Sequence, residues 1–451
     1  MRKLFGTDGI RGTANVYPMT PDIALSLGKA LAAIFTKSRL GHNPRFVIGK
    51  DTRLSGYMFE NALTAGLVSM GADVLLVGPM PTPAIAHLTK SLDANAGIVI
   101  SASHNPAEDN GLKLFSSDGK KLPDEMEEKI EAFIFSQQDT QGKIVGEKIG
   151  RARRIEDARG RYIEYIKSTV GSQNLEGMKI VLDCANGASY IVAPSIFREL
   201  GAEVVLIGAT PDGLNINKDC GALHPELIRK EVIRQKADIG IAVDGDADRV
   251  ILVDEKGNVV DGDAIMAIAG ADMLERKTLA KNTVVATDYS NMGLNDTLSK
   301  KGAKLVRVKN GDRYVIEEML KNGYNLGGEQ SGHIIFGDHS HTGDGTLAAL
   351  KIIEIMKRKG KTLSGLASIL RKYPQTLLNL KVREKKELEK LPSAMKAIAK
   401  ANSELGSTGR THIRYSGTEN LLRIMVEAKT DGQAKRIAKE LADAVKKEIG
   451  A

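Results

Sequence analysis

One order of events occurs three times along this chain. Gly71-Ala72-Asp73 leads into VLLVG, Gly201-Ala202-Glu203 into VVLIG, and Gly302-Ala303-Lys304 into LVRVK. A short apolar, β-branched run behind Gly-Ala reads as a helix C-terminus feeding a buried strand. Upstream of each lies a strand-like run closing on a polar turn: Phe46 to Arg53, Ile180 to Gly187 and Val284 to Asn291. Helical segments 56–70, 189–200 and 292–301 separate the two runs. Downstream come another helix and a third strand: AGIVIS from Ala96, DIGIAV from Asp238 and YNLGG from Tyr324. Units of this kind build parallel sheets with helices on both faces. Coincidence among common α/β patterns is the plain alternative, and three matching orders favour repetition.

The remainder has another rhythm. A strand (Thr376–Val382), a Lys/Glu-rich helix (Lys385–Asn402), two strands flanking RYSGTEN and a closing helix (Asp431–Ile449) predict a smaller α+β unit. The expected divisions are 1–155, 156–253, 254–371 and 372–451: three repeated α/β domains with mixed, mainly parallel sheets, then the α+β domain.

Apolar residues at 42% and charged residues at 27% exclude disorder. Sixty-four Lys and Arg against 56 Asp and Glu leave +8, which suggests an anionic partner: nucleic acid, a membrane surface or a phosphorylated metabolite. Aromatics at 4%, with no Trp, argue against single-strand stacking platforms. Two cysteines, Cys184 and Cys220, are too few for a disulfide framework or a Cys-based zinc site and suit a reducing cytoplasm. MRKLFGTDGIRG lacks the apolar core of a signal peptide, and no stretch approaches the roughly 20 apolar residues of a membrane span. A cytoplasmic protein with no membrane partner is expected.

Sites in open parallel sheets lie beyond the carboxyl ends of the strands, so the loop after each third strand is the place to look. The first is Ser101-Ala102-Ser103-His104-Asn105-Pro106, followed by Asp109-Asn110-Gly111-Leu112-Lys113. Serine beside histidine could be a nucleophile, or the loop could be a turn without chemistry. The G-x-S-x-G elbow of serine hydrolases is absent around Ser103. The second loop is Asp244-Gly245-Asp246-Ala247-Asp248-Arg249. Three carboxylates at alternate positions repel unless a cation neutralises them, so a hard divalent metal is the economical reading, against a solvated acidic turn. An EF-hand is disfavoured by Arg249 at the sixth position and by a strand where a helix should enter. Arg249 beside a metal suggests a phosphorylated ligand.

The third loop, Gly327-Gly328-Glu329-Gln330-Ser331-Gly332-His333, could read sugar hydroxyls or act as acid and base; a polar loop is an equal alternative. In the last unit, Arg414-Tyr415-Ser416-Gly417-Thr418-Glu419-Asn420 with Arg423 is a candidate phosphate cradle, against a charged β-turn. Gly6-Thr7-Asp8-Gly9-Ile10-Arg11-Gly12 and Gly311-Asp312-Arg313 join the inventory. Nucleophile, carboxylate cluster, hydroxyl reader and cradle together point to phosphoryl transfer on a small polyhydroxylated substrate.

FGTDGIRG, ISASHNP, DGDADR, GGEQSGH and RYSGTEN, in this order, resemble the α-D-phosphohexomutase superfamily over essentially the whole chain. The resemblance implies four domains around a central cleft and a mutase that works through a sugar 1,6-bisphosphate. Ser103 would be the phosphoserine. Asp244, Asp246 and Asp248 would hold Mg²⁺, with the phosphate on Ser103 as a further ligand. Arg249, Lys113, His104 and His333 would lie beside the transferring group, with Lys113 or His333 assisting proton transfer. Arg11, Gly311, Asp312, Glu329 and Ser331 would contact the sugar phosphate. Arg414, Ser416, Gly417, Thr418 and Arg423 would grip the phosphate that is not reacting. Gln330 and the SHTGDG run from Ser340 favour a hexosamine phosphate, with glucose or mannose phosphates as the alternative. Asn310, where a small or apolar residue is expected, departs from the pattern. A monomer or homodimer is expected. A nucleic-acid-binding protein is the rival of another class, and no known nucleic-acid module supports it.

Overall fold

A computed structural model describes residues 3–6, 8–35, 43–136, 144–171, 174–416 and 420–450. Among these, the repeat appears as three sheets with one strand order. In the first, Asp73–Pro79, Arg45–Lys50 and Ala96–Ile100 run parallel side by side, and Asp109–Ser116 returns antiparallel against Ala96–Ile100. The second repeats this with Glu203–Ile207, Lys179–Asp183, Ile239–Val243 and the return strand Val250–Asp254. The third repeats it with Lys304–Val308, Thr283–Thr287, Leu326–Gly328 and Ile334–Phe336. Each candidate loop is therefore the turn of a hairpin, between the last parallel strand and its antiparallel return.

Local chemistry explains the boundaries. Gly71, Gly201 and Gly302 all adopt positive φ (83°, 97° and 89°), the left-handed turn expected of Gly-Ala at a helix end. The N-termini of helices Pro21–Ile34, Gly262–Glu275, Met292–Lys301 and Gly345–Lys359 are capped by the side chains of Thr20, Asp261, Asn291 and Asp344.

Two expectations need correction. The Gly-Ala strands were all expected to be buried, yet Glu203–Ile207 and Lys304–Val308 are sheet edges with no fully buried residue. Only Asp73–Pro79 is largely covered, flanked by Arg45–Lys50 and by the short strand Ala152–Arg154. The Lys385–Asn402 helix instead spans Pro392–Leu405, because proline is tolerated in the first turn of a helix and not inside it.

The last unit is a three-stranded antiparallel sheet, Gln375–Lys381, Leu421–Glu427 and Arg410–Tyr415, backed by Pro392–Leu405 and Asp431–Ile449. Its core of Leu422, Ile424, Val426, Ile437, Leu441 and Val445 is its own. The first three units instead share one continuous apolar cluster, running from Val47 and Phe115 through Leu182 and Val243 to Ile334 and Leu350. Fully buried Tyr162 crosses this seam and donates to Asp344 Oδ2 (2.8 Å). Among the described residues, no helix is long and apolar enough to cross a membrane.

Behind the second candidate loop, a Cβ on Gly187 would fall 2.3 Å from the Gly245 carbonyl oxygen. Gly187→Ala is expected to cost about 1–3 kcal/mol through overpacking, read as a lowered urea midpoint. An unchanged midpoint would refute the close approach.

Candidate active site

Ser103 sits in the left-handed region, φ 52°. A non-glycine residue persists there only when its surroundings hold it. The Ser103 N–H donates to Ser101 Oγ (2.9 Å), and the Ser101 hydroxyl donates to Asp51 Oδ2 (2.6 Å). Fully buried Arg53 pairs with Asp51 and donates through Nη2 to the Asn105 carbonyl (2.5 Å). Asn217, from the second unit, donates to the carbonyls of Ser103 (2.9 Å) and Asn105 (3.1 Å). The Ser103 hydroxyl donates to Asp244 Oδ2 (2.6 Å) and lies 3.2 Å from His104 Nδ1. Burial, with Arg249 and Arg11 nearby, pulls His104 down to about 4, so its ring is neutral at pH 7.

Asp244, Asp246 and Asp248 are buried, with one oxygen of each within 4.8 Å of the others. Positive φ at Ala247 (56°) turns the loop so that all three converge. Gly245 is needed at its place, since a Cβ there would meet the Ser103 carbonyl at 2.6 Å. Burial, then the charges of Asp248 and Asp246, pushes Asp244 up to about 8. Asp248 moves the other way: Lys113 and His333 outweigh its burial and hold it well below the usual carboxylate range. Asp246 Oδ1 and Asp248 Oδ1 are buried without a hydrogen-bond partner among the described residues. Hard oxygen donors, crowded and partly orphaned, fit a hard divalent cation.

Lys113, on the return strand of the first unit, reaches Asp246 Oδ2 (2.8 Å), Asp8 Oδ2 (3.3 Å) and Asp248 Oδ2 (3.5 Å). Against its burial, these carboxylates keep Lys113 charged throughout the physiological range. The Arg249 N–H donates to Asp244 Oδ1 (3.2 Å), while its guanidinium lines a cleft of about 600 Å³.

That cleft brings together the expected groups from all four units: Ser103, His104 and Arg11; Asp248 and Arg249; Gly311, Asp312, Glu329, Ser331 and His333; Arg414 and Arg423. Asn310 also faces it. Glu329 accepts from the Gly311 N–H (3.2 Å) and from Ser331 Oγ (3.3 Å), so the third loop is tied to the Gly311-Asp312-Arg313 turn. His333 Nε2 accepts from the Gly343 N–H (2.9 Å). Arg414 and Arg423 are direct partners across an antiparallel pair, an arrangement of like charges that is unfavourable without an anion. Arg414 Nε donates to Tyr289 OH (2.8 Å). Ser416 is buried at the end of its strand, its N–H donating to the Leu421 carbonyl (2.8 Å). Gly417 and Thr418 lie outside the described residues.

Several participants escaped the sequence reading. Thr82 Oγ1 donates to Asp246 Oδ2 (2.6 Å) across 164 residues of chain, and nothing in PTPA marks it. Asp51 and Arg53 stand in a polar turn after a first strand of the repeat, a signal that could have been followed. Asp8 lay within a noted motif but had no role.

Residues 2–141, 160–257, 261–373 and 377–444 match, in that order, phosphoglucomutase/phosphomannomutase alpha/beta/alpha domains I, II and III and the C-terminal domain. The chain is 57% identical to the phosphoglucosamine mutase of Geobacter metallireducens over 451 residues, covering 100% of both chains. It is 56% identical to that of Myxococcus xanthus over 449 residues, covering 99% of this chain and 98% of the other. In structure it is similar to a phosphoglucomutase/phosphomannomutase family protein from Burkholderia thailandensis (TM-score 0.80, 24% identity, 99% of each chain). It is also similar to Aspergillus fumigatus N-acetylphosphoglucosamine mutase in complex with GlcNAc-6P and magnesium (TM-score 0.67, 18% identity, 99% of this chain and 96% of that one).

Thr82 orients Asp246 through its hydrogen bond to Oδ2. Thr82→Val is expected to weaken divalent-cation binding by roughly 10- to 100-fold, the usual effect of losing a group that orients a ligand. Mn²⁺ titration by calorimetry checks this, and wild-type affinity would refute it.

Proposed function

The chain belongs to the phosphoglucomutase/phosphomannomutase family, and on that premise we propose that it interconverts glucosamine 6-phosphate and glucosamine 1-phosphate. One observation carries this reading: Ser103 Oγ lies 2.6 Å from a buried carboxylate cluster in a cleft whose lining includes a facing arginine pair. The amino-sugar substrate is supported by full-length likeness to phosphoglucosamine mutases.

Ser103 would act as a phosphoserine. In one half-reaction its Oγ–P bond breaks, a new P–O bond forms to the free sugar hydroxyl, and the proton that hydroxyl gives up is matched by the one the leaving Ser103 Oγ takes back. The resulting 1,6-bisphosphate turns over, and its other phosphoryl group returns to Ser103. Asp244, Asp246, Asp248 and the phosphate on Ser103 would hold Mg²⁺, which when bound supplies positive charge to the transferring group. Lys113, with Nζ 2.8 Å from Asp246 Oδ2 and 3.5 Å from Asp248 Oδ2, places a cation and hydrogen-bond donor beside the transferring group. Arg249 and Arg11 add charge at the same end of the cleft. His104, neutral at pH 7 and with Nδ1 3.2 Å from Ser103 Oγ, is placed to exchange a proton with that oxygen, whereas His333 Nε2 is already taken by the Gly343 N–H.

Glu329 and Ser331 would read sugar hydroxyls, with Gly311 and Asp312 beside them. Arg414 and Arg423 would grip the phosphate distant from Ser103, together with Ser416, Gly417 and Thr418, which follow Arg414 closely in sequence. The two phosphates exchange roles during one turnover, so the distal grip must accept either end of the sugar. The cytoplasm is the proposed setting, supported by two buried free cysteines.

Ser103→Ala is expected to abolish turnover while leaving the fold intact; turnover at the wild-type rate would sink the proposed role. Arg423→Ala is expected to lower kcat/KM by roughly 10- to 100-fold, the cost of one charged hydrogen bond. Steady-state rates with glucosamine, glucose and mannose 6-phosphates measure both effects. A higher kcat/KM for glucose or mannose phosphate would overturn the amino-sugar assignment.

A further inference from the structure

Lys121 has no part in the reaction described so far. It lies in the first unit between strand Asp109–Ser116 and helix Asp124–Phe135, where it bridges back to Phe115. Its Nζ is 2.5 Å from Asp8 Oδ1 and 2.5 Å from Asp312 Oδ2. Asp8 belongs to the N-terminal turn and Asp312 opens a helix of the third unit, so one ammonium spans two domains. The three side chains are only about one-fifth exposed, at 20%, 20% and 21%, so solvent screens them incompletely.

Each end of this bridge leads into the reaction site. From Asp8, contacts pass to Lys113 (3.3 Å) and on to Asp246 (2.8 Å). From Asp312, the adjoining Gly311 N–H reaches Glu329 (3.2 Å), and His333 stands 3.8 Å away. His333 lies 3.7 Å from Asp248, and Asp248 lies 3.5 Å from Lys113. The contacts close into a circuit: Lys113, Asp8, Lys121, Asp312, His333, Asp248 and back to Lys113. Within it, Lys121 is the cation shared by the first and third units.

We propose that Lys121 is a positioning residue, which holds the sugar-reading loop of the third unit at a fixed separation from Ser103 by bridging Asp8 and Asp312. The proposal rests on the mutase reading above. Without Lys121 no cation would stand between the two carboxylates: Asp8 would keep Arg11 and Lys113, but Asp312 would face it unbridged across the domain boundary. The neighbouring Arg313–Asp124 pair cannot replace it, since Asp124 is 47% exposed and such rim pairs contribute little. A mutase is sensitive to slack at this joint, because both half-reactions need the same distance from the sugar loop to Ser103.

The experiment combines kinetics with a distance. Lys121→Met is expected to lower kcat in both directions by roughly 10- to 100-fold, as a misplacement of about 1 Å does, with KM changed less than about 3-fold because the arginine grip is untouched. Lys121→Arg is expected to restore most of the loss. Spin labels on Lys129→Cys in the first unit and Lys321→Cys in the third, both exposed sites, are expected to give a narrow distance distribution that Lys121→Met broadens. If Lys121→Met fails to fold, the double variant Asp8→Asn/Lys121→Met removes the facing repulsion and carries the same readouts. Loss of turnover without broadening, broadening without loss of turnover, or neither change would each overturn the proposal. A wild type inactive on every hexose phosphate, with Lys121→Met still broadening the distance, would instead count against the mutase reading and leave the bridge standing.

Discussion

Three buried carboxylates within 4.8 Å of one another repel, and much of the surrounding structure answers that repulsion. Lys113 meets it with charge, Thr82 and the Arg249 N–H with hydrogen bonds, and Ser103 with its hydroxyl. These groups come from separate places in the chain, so the cluster also draws two units together. Gly245 is glycine because the Ser103 carbonyl of the first unit leaves no room for a Cβ, and Gly187 because Gly245 itself packs against it. The orphaned oxygens of Asp246 and Asp248 mark where protein groups stop and a cation is called for.

The repeat gives the site its economy. Each unit ends its parallel run with a hairpin, and a hairpin turn frees a short loop from sheet hydrogen bonding while both flanks stay rigid. One such loop carries Ser103, another the aspartates, and the third Glu329, Ser331 and His333. Three copies of one geometry thus present three different chemistries to a shared cleft, over a continuous apolar core that fixes their mutual placement.

Much of this was legible in the sequence because it is local. Gly-Ala before each apolar run marked the helix ends, and the aspartates at alternate positions declared their own conflict. Strand exposure was not legible: VVLIG and LVRVK resemble VLLVG, and only the order of strand pairing makes the first two edges. The supports of Ser103 were hidden for a related reason. Asn217 reaches its carbonyl across 114 residues, and no spacing rule connects positions that far apart. The same holds for Lys121 and Asp312, which are 191 residues apart and look like ordinary surface charges when read singly.

Arg414 and Arg423 stand on neighbouring strands of a single small sheet with its own core. Their spacing is therefore an internal property of that domain, set by strand pairing and not by how the domain meets the other three. Any rotation of the last unit carries both strand positions as one piece, while the Arg414 guanidinium also answers to Tyr289 of the third unit. In the proposed role, phosphate recognition would be uncoupled from reach: the sheet would settle what is gripped, and the junction at Tyr289 and Glu427 how far from Ser103 it is delivered.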